Sequence, residues 1–149
     1  MTRHAIRRRT VFAQALAGAA LLAGWRLARS ADRPDPAFTP EQRWFEAAAA
    51  MKRRAESWGD QPYGAVLVAD GAIIGEGPSR VVQRGDPTAH AEREAIRDAQ
   101  KRLGRPSLAG SVLYSTSRPC PLCEAAAAEA EVSRMIYGAA LNDAGRPRR

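Results

Sequence analysis

The hydrophobic positions of this chain switch between two periods, and the switches mark out helices alternating with strands. From Thr39, a candidate N-cap followed by Pro40 at a first helical position, the apolar residues Trp44, Phe45, Ala48, Met51 and Ala55 keep to one helical face as far as about Trp58. Residues 59–62 break that helix. Apolar runs at 65–69 and 72–75 flank Asp70-Gly71, and an Asp-Gly pair tolerates the left-handed conformation of a two-residue turn, so the stretch predicts a hairpin. Gly75, Gly77 and Pro78 are expected to end its second strand as turn residues, ahead of an irregular loop to Asp86.

A second helix is expected to open at Asp86-Pro87, with Ala91, Ala95, Ile96, Ala99 and Leu103 as its buried stripe. Arg93, Glu94, Arg97, Asp98 and Lys101 then form its solvated face. After a connector at 104–110, the pattern gives a strand at 111–115, an Ala-rich helix at 121–131 and a strand at 135–138. Trp44 and Trp58 read as core, as aromatics at helical spacing usually are. Strands alternating with helices predict an α/β fold around a sheet of mixed direction.

Charge changes this picture only at one end. The 149 residues carry 23 basic and 16 acidic side chains, a formal net charge of +7. The six arginines among residues 1–30 meet no acidic residue there, and without them 17 basic residues face 16 acidic ones, a net of +1. A polynucleotide binder needs a basic surface, so nucleic acid is not the expected partner, and Arg146, Arg148 and Arg149 read as a frayed basic terminus. Residues 1–30 resemble a twin-arginine signal peptide: Arg8-Arg9 precedes an apolar run at 11–24, and Ala28-Arg29-Ser30 offers a cut after Ser30. The expectation is passage through the twin-arginine export machinery to a bacterial periplasm. An uncleaved membrane anchor is the alternative, although the run is shorter than the roughly 20 apolar residues a span needs. Residues 31–40, with Pro34, Pro36 and Pro40, read as a linker, and 41–149 as one domain.

The candidate chemistry lies in the two cysteines, Cys120 and Cys123. Their spacing alone allows a disulfide, a redox pair or two metal-bound thiolates. His90-Ala91-Glu92 lies upstream, and the two motifs together match the H-x-E followed by P-C-x-x-C signature of zinc nucleobase deaminases. Cysteines three apart at a helix start place both sulfurs on one side, where unpaired backbone N–H groups favour thiolate. The chain has no third cysteine, and its other histidine, His4, lies in the leader, so three protein ligands would leave a zinc position open. Water in such a position has its pKa lowered to roughly 7. Glu92, two residues from His90, is suited to carry that proton.

Residues 59–68, 86–92 and 119–123 resemble, in order, three blocks of the cytidine deaminase-like superfamily, in its branch of guanine, cytosine and tRNA-adenosine deaminases. The resemblance covers most of residues 39–137. It implies a three-layer α/β/α sandwich around a mixed sheet of about four to five strands, commonly assembled as a homodimer. It also implies Zn2+ held by His90, Cys120 and Cys123, proton transfer by Glu92, and substrate contacts from Tyr63, Ser79 and Ala91. Three departures stand out. Ser79 replaces the asparagine usual after the second strand, Arg118 replaces the glutamate usual before Pro-Cys, and the helix after Cys123 is alanine-rich. The chain is further expected to be shortened at its C-terminus, without the family's fifth strand and terminal helix. The function implied is hydrolytic deamination of a free nucleobase or nucleoside, guanine- or cytosine-like, with release of ammonia. A zinc-retaining binding domain without turnover and an exported thiol oxidoreductase using Cys120 and Cys123 are the alternatives.

Overall fold

The computed structural model describes residues 39–149. The leader, and the linker apart from its last two residues, lie outside the described residues. Helix α1 spans Pro40–Ser57. It starts where the sequence places it because Thr39 and Gln42 form a reciprocal cap: the Gln42 N–H donates to Thr39 Oγ1 at 3.3 Å and the Thr39 N–H to Gln42 Oε1 at 2.8 Å.

Strands β1 (Gly64–Ala69) and β2 (Ala72–Pro78) follow as an antiparallel hairpin, and Asp70 and Gly71 take the left-handed φ values of 51° and 72° that its turn requires. A single helical turn, α2 (Val81–Arg84), occupies the stretch expected to be irregular. Helix α3 (Ala91–Leu103), strand β3 (Val112–Ser115), helix α4 (Pro121–Glu129) and strand β4 (Arg134–Tyr137) complete the alternation. A short fifth strand, β5 (Asn142–Gly145), pairs antiparallel with β4, so the expectation that the chain lacks this strand is corrected. The order is β2-β1-β3-β4-β5, mixed in direction because only β3 and β4 run parallel.

Alternation along β1 sends side chains to two cores. Val66 and Val68 join Ala48 and Tyr114, with Trp44 packed against them, on the α1 face. Leu67 joins Leu113, Ile96, Ala127 and Met135 on the face covered by α3 and α4. Helices therefore cover both faces, and the expected three-layer α/β/α sandwich is the fold.

Several expectations change at the α3 contact. Gly75 and Gly77 are not turn residues but lie inside β2, buried against α3. A Cβ on Gly77 would sit 2.0 Å from the Ala91 carbonyl oxygen, and one on Gly75 2.3 Å from that of Ala95. Their bare backbone lets α3 lie directly on the strand, which sets the height of its N-terminus above the sheet edge. Glu94, expected on the solvated face, is buried beneath three arginines: Arg84 at 2.9 Å, Arg97 at 2.7 Å and Arg80 at 3.6 Å. Leu103, expected in the buried stripe, is 41% exposed at the last turn of α3. Trp58 caps α1 between Arg54 and Arg80, whose guanidinium groups lie 5.0 Å and 4.7 Å from its ring, and belongs to no core cluster of the described residues.

Overpacking at Gly77 sets up a stability prediction. Gly77→Ala is expected to lower stability by about 1–3 kcal/mol or more, because backbone must move to admit the methyl group. Leu103→Ser is expected to change it by less than about 0.5 kcal/mol. Urea denaturation of the two variants beside the unaltered protein measures both.

Candidate functional site

The site forms where the N-termini of α3 and α4 meet at one end of the sheet. His90 is the N-cap of α3 and Cys120 the N-cap of α4, which puts Glu92 and Cys123 in the first turns of the two helices. The approach to His90 is held by two backbone bonds, from the Ala89 N–H to the Asp86 carbonyl and from the Arg80 N–H to the Ala89 carbonyl, both 3.0 Å. The approach to Cys120 is fixed at the end of β3, where the Thr116 N–H donates to the Gly64 carbonyl at 2.9 Å and the Gly64 N–H returns to Thr116 Oγ1 at 3.1 Å. The Ser115 hydroxyl closes that turn on the Ser117 carbonyl at 2.6 Å.

These supports bring the three sequence-predicted donors together. His90 Nδ1 lies 3.6 Å from Cys120 Sγ and 3.5 Å from Cys123 Sγ, and the two sulfurs are 3.3 Å apart. Both cysteines are free. A tetrahedral zinc with Zn–S near 2.3 Å and Zn–N near 2.0–2.1 Å separates such donors by roughly 3.6–3.8 Å, so this set could hold the ion with little adjustment. The Cys123 N–H also donates to Cys120 Sγ at 3.4 Å, the capping bond expected to favour thiolate.

Burial and the neighbouring groups oppose that cap. Burial, the adjacent Glu92 carboxylate and Cys120 all push the Cys123 thiol up. Burial also raises the Glu92 carboxyl, opposed by its own backbone N–H, the Cys123 thiol 3.5 Å away and His90. Glu92 makes no salt bridge among the described residues. Two soft donors and a buried acid crowded together with no ion pair to the acid among the described residues fit a divalent metal, whose charge would draw both thiols toward thiolate.

The cluster opens into a cleft of about 410 Å³, which Tyr63, His90, Ala91, Glu92 and Cys120 line as site candidates. Arg118 lines it too, as do Gln61 and Ser117, which no motif singled out. Ser79, expected among the substrate contacts, is not brought to the cleft. It is fully buried, and its hydroxyl donates to Asp60 Oδ1 at 2.9 Å. A short side chain at the end of β2 has been drawn into an internal network, which corrects that expectation.

Comparison with known proteins agrees with this geometry. Residues 39–139 match the cytidine and deoxycytidylate deaminase zinc-binding region. The chain belongs to this zinc-dependent deaminase family. It is 48% identical over 83 residues to the guanine deaminase of Bacillus subtilis, a match covering 56% of this chain and 53% of the relative. It is 42% identical over 96 residues to the tRNA-specific adenosine deaminase of Agrobacterium fabrum, covering 64% of this chain and 63% of that protein. The X-ray structure of guanine deaminase from Bacillus subtilis superposes with a TM-score of 0.63 at 40% identity, over 65% of this chain and 62% of the other. The chain thus spans less than two thirds of the length of these relatives.

Purified protein is expected to carry one zinc per chain by elemental analysis. His90→Ala, Cys120→Ser and Cys123→Ser are each expected to lower that occupancy sharply, whereas Glu92→Gln keeps it. A chelator that strips the metal is expected to lower the melting temperature as well, since ligand binding to the folded state adds to its stability.

Proposed function

We propose that the protein is a hydrolytic deaminase of a free nucleobase or nucleoside, guanine- or cytosine-like. The observation that carries this reading is the cleft itself, which brings a three-donor metal cluster and one buried carboxyl to the same concave surface. A closed structural zinc site takes four protein ligands. Among the described residues only three donors converge here.

In this reading His90, Cys120 and Cys123 hold zinc. Bound there, the ion supplies a Lewis acid that makes a water nucleophilic at neutral pH. Glu92 does the proton work. Its carboxylate takes a proton from the attacking water, passes it to the ring nitrogen beside the carbon under attack, and assists departure of the amino group as ammonia. Its burial at the wall of the cleft suits a group that must hold a proton between those transfers without losing it to bulk water. Tyr63 and Ala91 form walls of the cleft against which a planar ring can lie.

A free base or nucleoside is favoured over tRNA by the charge balance, since residues 31–149 carry a net of only +1 and polynucleotide binding draws on many phosphate contacts. Similarity to both guanine and tRNA-adenosine deaminases keeps tRNA in the test. Zinc-loaded protein is expected to release ammonia from at least one of guanine, cytosine, adenine or their nucleosides, with tRNA a poorer substrate. Glu92→Gln is expected to lower kcat by about 10²–10⁴-fold with zinc retained. Ammonia release unchanged in that variant, or confined to tRNA, contradicts the proposal.

A further inference from the structure

Asp60, in the turn before β1, is 8% exposed, and both of its carboxylate oxygens are used. Oδ1 accepts the Gln61 N–H at 2.8 Å and the Ser79 hydroxyl at 2.9 Å, while Oδ2 accepts the Gln83 N–H at 2.8 Å. The same turn is tied twice more: the Ser79 N–H donates to the Tyr63 carbonyl at 3.0 Å and the Tyr63 N–H to the Gln61 carbonyl at 2.7 Å. The backbone of residues 60–63 is therefore held, yet the Gln61 carboxamide makes no hydrogen bond among the described residues, and Gln61 lines the cleft with Tyr63, His90 and Glu92. A fixed backbone carrying an uncommitted amide to a binding cleft suits a recognition residue, because only the side chain, not the backbone, remains to be ordered when the ligand arrives.

We propose that Gln61 is a specificity-determining residue, whose carboxamide hydrogen-bonds the donor–acceptor edge of the substrate ring, and that Asp60 and Ser79 are the positioning residues that hold it there. The inference rests on the deaminase reading above and adds the group that reads the ring. A carboxamide presents one acceptor and two donors on a plane, which matches the in-plane pairing edge of an amino-heterocycle. Ser79 serves this purpose indirectly: its hydroxyl is spent on Asp60, whose same oxygen holds the Gln61 N–H.

Steady-state kinetics and calorimetry on zinc-loaded protein test this. Gln61→Leu is expected to raise KM for the preferred base at least 10-fold with kcat within about 2-fold, the signature of lost uniform binding. Ser79→Ala is expected to raise KM several-fold, and the Gln61→Leu/Ser79→Ala double variant to be no worse than Gln61→Leu alone, because both changes act through one hydrogen-bonding group. Additive effects in the double variant, or a Ser79→Ala effect on kcat or zinc content with KM unchanged, overturn the positioning role. If Ser79→Ala fails to fold, Ser79→Thr, which keeps the hydroxyl, is expected to retain the KM of the unaltered protein, and a KM raised as far as in Gln61→Leu overturns it. A Gln61→Leu KM within 2-fold overturns the whole inference. Guanine or cytosine binding to the Glu92→Gln protein separates this from the reaction. Binding weakened 10-fold by Gln61→Leu without turnover in the unaltered protein sustains the inference and sinks the deaminase reading, whereas no binding of guanine, cytosine, adenine or any of their nucleosides sinks both.

Discussion

Three charges that resist burial, two thiolates and a carboxylate, must be brought within a few ångströms of one another at the end of a sheet. Without compensation the arrangement is unfavourable: burial pushes both Cys123 and Glu92 toward their protonated forms, and the neighbouring Glu92 and Cys120 push Cys123 further the same way. A divalent ion reverses that balance, and the positive ends of two helices assist it. Much of the remaining architecture serves to make those two helix ends meet. Gly75 and Gly77 let α3 settle onto β2, the Gly64–Thr116 bonds stop β3 where Cys120 is needed, and parallel pairing of β3 with β4 requires the crossover that α4 supplies.

Comparison of three buried carboxylates shows why Glu92 stands apart. Asp60 is 8% exposed; burial acts to raise its carboxyl, but hydrogen bonds from Gln83, Ser79 and Gln61 together hold it below its usual value. Glu94, 6% exposed, is covered by three guanidinium groups. Glu92, 5% exposed, has no arginine partner among the described residues, and its neighbours are its own backbone N–H, the Cys123 thiol at 3.5 Å, His90 and an open cleft. Structural acids in this fold are satisfied by the protein. Glu92, without such a partner, lines the cleft where a substrate would sit.

The sequence made the elements and the metal cluster legible because each rests on local rules. The Thr39 cap, the Asp70-Gly71 turn and Cys120 at a helix start are written within a few neighbouring residues, whereas the helix expected to open at Asp86-Pro87 begins only at Ala91, with His90 as its N-cap. What escaped depends on contacts between distant segments. Gly75 and Gly77 look like turn residues until α3 is laid across them. Glu94 looks solvated until Arg80 and Arg84 arrive from the segment after β2, and Ser79 looks like a substrate contact until Asp60, nineteen positions earlier, takes its hydroxyl. Gln61 lies within the first family-like block but is not among the expected site residues, and its place beside His90 in the cleft marks it. The fifth strand, Asn142–Gly145, is short and mostly exposed, so no apolar pattern announces it.

The central claim is that the metal sits in an open shell of three protein donors. Zinc K-edge X-ray absorption on the purified protein tests it directly. The account predicts two sulfurs near 2.3 Å, a single imidazole near 2.0–2.1 Å and one further light donor from solvent. A third sulfur, a second imidazole or the absence of zinc from folded protein would contradict it.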